Sequence, residues 1–285
     1  MNFTRASFPG MNLHHSRFPF DHFIESLSRA GYETFEFWCG SPHFSMDAQG
    51  FDPVPPIARK ARAAGLQPVS VTSPSFQRQY QCAVNSGSPA QDSFAYFSNG
   101  IRVAAELECK IMTVNSGWGL AGEAAEEAWK RSRDMLRRLA EFAGSQGVTL
   151  ALESLRSDET NLVRNLETAM RMIEEVGHPR LCAMVDTIAM GAAGETLQQW
   201  FDAFGPRLVH MHFLDGNPFV HLAWGDGNYP LAAMLGTIAK NGYQGYLVQE
   251  IADDRYLDDP AEADRKSIAT LARVLGWSID GTRKG

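Results

Sequence analysis

Residues 148–186 read VTLALESLRSDETNLVRNLETAMRMIEEVGHPRLCAMVD, and the order of signals in this stretch decides the fold. A short apolar run, 148–153, reads as a strand and ends on Glu153. Beyond a polar loop, Leu166, Met170, Ile173 and Val176 recur at three- and four-residue spacing, the stripe of a helix over 163–176. Gly177 then offers a left-handed position and Pro179 blocks continuation. A second apolar run, 181–186, ends on Asp186. Strand, helix and strand in this order imply parallel strands joined by a right-handed crossover.

The same unit repeats in both directions. Strands are expected at 8–13, 33–38, 67–72, 110–115, 207–213 and 245–250 as well, and helices at 20–30, 53–64, 90–107, 122–145, 195–204, 230–241 and 261–275. Gly31, Gly65, Gly147 and Gly242 close four helices as Gly177 does, whereas the unit ending near Lys110 has no such glycine. Eight strands alternating with eight helices fit a closed (β/α)8 barrel, the TIM barrel, or an open doubly wound sheet. No GxGxxG or Walker-type glycine loop follows a strand, which weakens the open nucleotide-binding sheet. We therefore expect one α/β barrel domain over residues 1–285, a length close to the roughly 250 residues such barrels take. Two long loops, 74–92 and 214–229, would then lie at the C-terminal mouth.

A net charge of −7 disfavours nucleic acid as the main partner. No apolar run reaches the roughly 18 residues of a membrane span, and the N-terminus lacks the apolar core of a secretory signal. Cys39, Cys82, Cys109 and Cys182 are scattered without a CxxC pair, as expected of reduced thiols in a cytoplasmic protein.

Four successive strands end in metal-ligand types: Glu153, Asp186, the HMH pair His210 and His212, and Glu250. A carboxylate at the end of an apolar buried strand is costly unless paired, hydrogen-bonded or bound to metal. In a barrel these four ends converge on one mouth. Glu153, Asp186, His212 and Glu250 form an oxygen-rich set that suits one divalent ion, Mn²⁺ foremost, with Co²⁺, Mg²⁺ or Zn²⁺ as alternatives. His210 shares a face with His212 one layer deeper and is read as structural.

LALES, VDTIAM, LVHMHFLD, GDGNYPL and GYLVQEI stand in the order and spacing of a known superfamily. With them the chain resembles the xylose isomerase-like TIM-barrel sugar isomerases and epimerases over nearly its whole length. Within these it looks most like the ketose 3-epimerases, nearest the fructoselysine 3-epimerase type, through FEFWCGSPHF (35–44) and HLAWGDGNYPL (221–231). The resemblance implies the same four metal ligands, homodimers or homotetramers, and Glu159 as a substrate contact. Many ketose 3-epimerases carry a histidine where this chain has Ala189, a departure that tells against a free ketohexose.

The activity expected is proton abstraction beside a carbonyl through an enediolate, with the metal as Lewis acid and Glu153 and Glu250 as the acid/base pair. Trp38, His43, His15 and His221, at or beyond strand ends, are expected to meet the sugar or sugar conjugate; packing at the mouth is the alternative for each. Trp118 and Trp224 are weaker candidates, Phe76, Tyr80 and Tyr229 could close the pocket, and Arg156 or Arg78 could meet an anionic group. Three other functions compete. A lyase cleaving 3-keto-glycosides could use the same site with a small β-rich partner subunit. A phosphodiesterase of the endonuclease IV kind would want more histidines. A non-catalytic sugar-binding barrel would not need both glutamates.

Overall fold

The computed structural model describes residues 3–75 and 79–277. Phe76 and Arg78, both named above, lie outside them. Eight strands follow one another around a parallel sheet: β1 (Gly10–Met11), β2 (Thr34–Trp38), β3 (Gln67–Thr72), β4 (Ile111–Asn115), β5 (Thr149–Glu153), β6 (Leu181–Asp186), β7 (Leu208–His212) and β8 (Leu247–Val248). A parallel bridge between Gly10 and Gln249, with the Gln249 amide donating to the Pro9 carbonyl at 2.9 Å, closes β8 onto β1. The TIM barrel expected from the alternating pattern is therefore present.

Helices wrap the outside: α1 (Phe20–Ala30), α2 (Pro55–Ala63), α3 (Ser88–Glu106), α4 (Ala125–Ser145), α5 (Leu166–Val176), α6 (Thr187–Ala192), α7 (Leu197–Phe204), α8 (Leu231–Lys240) and α9 (Pro260–Leu275). Their apolar stripes pack on the strands. Met172, Ile173 and Val176 of α5 share the main core with Leu150, Leu152 and Leu181. Strand alternation sends Leu150 and Leu152 outward and leaves Glu153 on the opposite face. The helix-ending glycines behave as expected: Gly31, Gly65, Gly147, Gly177 and Gly242 all have positive φ. Where the α3 unit lacks one, Glu108 takes φ 62°, alone among the described non-glycine residues. The short helix α6, absent from the sequence expectation, is created by its cap: Asp186 Oδ1 accepts from the amides of Ile188 and Ala189, each at 2.7 Å.

Two register shifts matter for the mouth. Between β2 and β3, Phe35 faces Pro68 but Glu36 faces Ser70, so Val69 is skipped. Pro68 has no amide to give the ladder, and a bulge is where a sheet tolerates it. Between β6 and β7 a second shift precedes the pair Asp186 and His212, which stand level.

Candidate metal centre and its cavity

Glu153, Asp186, His212 and Glu250 come together at the C-terminal mouth, each offering one ligand atom within 4.8 Å of the others. His212 is fully buried, and its Nδ1 lies 2.8 Å from Glu153 Oε1 and 2.9 Å from Glu250 Oε2. Asp186 uses one oxygen as the helix cap; its buried Oδ2 has no hydrogen-bond partner among the described residues, and neither has His212 Nδ1. Buried polar atoms of native proteins are almost always satisfied. Two orphaned ligand atoms facing two further carboxylates fit a divalent cation, and oxygen-rich donors with a single imidazole suit a hard ion.

The electrostatics agree. Burial drives the Glu153 carboxyl up to about 7, with the nearby Glu250 and Asp186 charges adding to the rise and His212 opposing it. Burial opposes charge on His221, but Asp186, 3.4 Å away, and Glu250, 3.7 Å away, push its ring up to about 9. Burial likewise acts against a charged His212, yet Glu250, Glu153 and Glu36 raise it well above the usual imidazole range. Three acidic side chains in one buried place draw positive charge toward them.

Above the four residues opens a cavity of about 350 Å³, lined by Glu153, Asp186 and Glu250 together with Trp38, Thr113, Asn115, Arg156, Glu159, Ala189 and His221. Trp38, Glu159 and His221, expected to meet the substrate, thus line this cavity. Arg156 donates to Glu159 at 3.2 Å and to the Phe219 carbonyl at 2.8 Å, tying the loop after β5 to the loop after β7.

Other expectations are corrected. His15 does not reach the cavity: it is fully buried, and its Nε2 pairs with Asp264 at 2.9 Å under α9. His43 has both ring nitrogens engaged, Nδ1 with Asn12 at 2.8 Å and Nε2 with the Phe18 carbonyl at 2.9 Å, so it braces the loop after β2 rather than lining the cavity. Trp224 is a core residue whose indole donates to the Phe213 carbonyl at 3.1 Å. Trp118 is half-buried and outside the cavity lining. Tyr80 stacks on Tyr96, and Tyr229 donates to the Pro218 carbonyl; neither lines the cavity.

Of the buried acids not singled out from the sequence, Glu36, Asp215 and Asp264, the first touches this site. Glu36, at the centre of β2, has no exposure and bonds to both His210 and His212. A charge in the middle of the apolar run FEFW was the available signal.

Comparison with known proteins follows this geometry. The family model described as xylose isomerase-like TIM barrel matches residues 24–274. Fructoselysine 3-epimerase of Shigella flexneri is 26% identical over 264 residues, covering 92% of this chain and 95% of that protein. L-ribulose 3-epimerase of Mesorhizobium japonicum is 26% identical over 184 residues, covering 60% of this chain and 61% of its own length. Among solved structures, a 3-keto-D-glucoside 4-epimerase from E. coli superposes with a TM-score of 0.78 at 19% identity, covering 94% of this chain and 99% of that one. With a match over most of its length, the chain belongs to the xylose isomerase-like TIM barrel family.

Proposed function

We propose that this protein is a divalent-metal-dependent sugar epimerase that inverts the carbon beside a carbonyl of a ketose or ketoamine. The observation that carries this reading is the pair of carboxylates, Glu153 and Glu250, both within 2.9 Å of His212 Nδ1 and both lining the cavity. The names of the relatives support a sugar epimerase and lend nothing to the glycoside-cleaving alternative, which we set aside. A ligand set with a single histidine likewise gives no support to phosphodiester hydrolysis.

Glu153, Asp186, His212 and Glu250 would hold the cation. Once bound, it supplies Lewis-acid stabilisation of the negative charge that develops on the substrate oxygens. The chain's own groups handle the proton. A carboxylate that gives one oxygen to a cation keeps the other free to take a proton and to give it back. Glu153 removes the proton on one face of the carbon, and Glu250 returns one on the other. His221, on the cavity wall, is placed to donate to a substrate oxygen. Trp38 offers a face to the sugar, and Arg156 with Glu159 forms the polar far side. Ala189 leaves an apolar spot on the wall. Four buried free thiols suit a reducing compartment, the cytoplasm. No described helix is long and apolar enough to cross a membrane.

A screen in D₂O tests the proposal. Protein reconstituted with Mn²⁺ is incubated with ketoses, ketoamines and 3-keto-glycosides, and products are read by mass. One deuteron gained at carbon without bond loss, and none after chelation, is expected with a ketose or ketoamine. Exchange that survives full chelation, or release of an aglycone, would refute it.

A further inference from the structure

Directly beneath the metal-ligand set lies a carboxylate that water does not reach. Glu36 Oε1 accepts from His212 Nε2 at 2.9 Å and from the Thr72 hydroxyl at 2.7 Å. Its Oε2 accepts from His210 Nε2 at 2.6 Å and from the Ser70 hydroxyl. A buried carboxylate is expensive, and packing gives no reason for it, since Phe35 and Phe37 on either side fill the apolar layer. The β2–β3 bulge sets Glu36 opposite Ser70, and the same stretch of β3 brings the Thr72 hydroxyl to the carboxylate.

An ionised carboxylate only accepts hydrogen bonds, so every partner must donate. Both imidazoles therefore carry hydrogen on Nε2. With a cation bound, His212 carries no second proton, and its Nδ1, 2.8 Å from Glu153 and 2.9 Å from Glu250, is the nitrogen left to face the ion. His210 and Ser70 hold the second oxygen and keep the carboxylate from turning away.

We propose that Glu36 is a positioning residue: it fixes His212 as the Nε2–H tautomer and aims Nδ1 at the cation. The proposal rests on the metal reading given above. Outer carboxylates of this kind typically change metal affinity by about 10- to 100-fold.

Metal-stripped wild type and Glu36→Gln are titrated with Mn²⁺ by calorimetry, and both are loaded with Co²⁺ for visible spectroscopy. The Gln variant is expected to stay folded by circular dichroism, to bind Mn²⁺ about 10- to 100-fold more weakly, and to shift the Co²⁺ bands. Glu36→Asp should recover part of the affinity. A purely structural role would lower the melting temperature and leave affinity and spectrum unchanged. Wild type that binds Mn²⁺ while Glu36→Gln binds equally, with the same Co²⁺ spectrum, overturns the positioning role and leaves the metal site standing. Wild type that binds no Mn²⁺ overturns both. Should Glu36→Gln fail to fold, ¹⁵N-histidine spectra of Zn²⁺-loaded wild type decide: a proton on Nε2 of His212 supports the proposal, and a proton on Nδ1 overturns it.

Discussion

The barrel buries two sets of histidines against carboxylates, and they are built to opposite ends. Under α9, His14 Nε2 and His15 Nε2 each take one oxygen of Asp264, at 3.0 and 2.9 Å, and Ser26 donates to the same carboxylate. Both oxygens are occupied, and the one partnerless atom, His14 Nδ1, points away from Asp264. None of these residues lines the cavity at the mouth. At the mouth, by contrast, Asp186 Oδ2 and His212 Nδ1 have charged neighbours but no hydrogen-bond partner, and three of the four residues line an open cavity. Residue type does not separate the two sets. What separates them is whether the polar valences are closed internally or left open toward a space a ligand can enter. The first clamps the turn after β1 to the last helix; the second is where chemistry belongs.

The contrast breaks or sharpens under mutation. The largest effect is expected at the mouth: Glu153→Gln and Glu250→Gln should each cut turnover by about 10²- to 10⁴-fold with little change in KM, read in the deuterium-exchange assay. Near-normal rates in both would end the two-carboxylate scheme. Asp264→Ala should act on stability instead, costing about 1–3 kcal/mol in urea unfolding for each buried ring that loses its acceptor. It should leave Mn²⁺ affinity of the folded protein unchanged.

A smaller effect is expected in the pH dependence of stability. Burial, with the neighbouring rings, holds His15 down at about 4 against the pull of Asp264. Its folded pKa lies below its unfolded value near 6.5, so the unfolded chain binds the extra proton between those values. The stabilisation is complete above about 6.5 and is lost as pH falls toward 4, a ceiling of about 3 kcal/mol. The difference in urea midpoint between wild type and His15→Gln, taken from pH 7 to 4, should show this slope, since Glu153, raised to about 7, acts with the opposite sign in both proteins. A difference that does not change with pH would mean that other groups govern acid lability.

The same contrast explains how far the sequence could be read. Strand and helix positions were legible because apolar period and glycine punctuation are local, as at Leu166–Val176 and Gly177. The grouping of four side chains was legible because parallel strands in a barrel bring Glu153, Asp186, His212 and Glu250 to one end whatever their spacing. His15 and His43, in loops, were not. His15 lies 249 positions from Asp264, and His43 is turned inward by Asn12, partners that no periodicity announces. Glu36 was hidden for a similar reason: its donors come from β3 and β7, and a bulge at Pro68 sets which of them it meets.

The most direct test of the account is anomalous diffraction from crystals of the protein soaked in Mn²⁺. We expect a single peak among Glu153, Asp186, His212 and Glu250, and none beside His14, His15 and Asp264. A peak at the clamp alone, or no peak at the mouth with metal in excess, would contradict it.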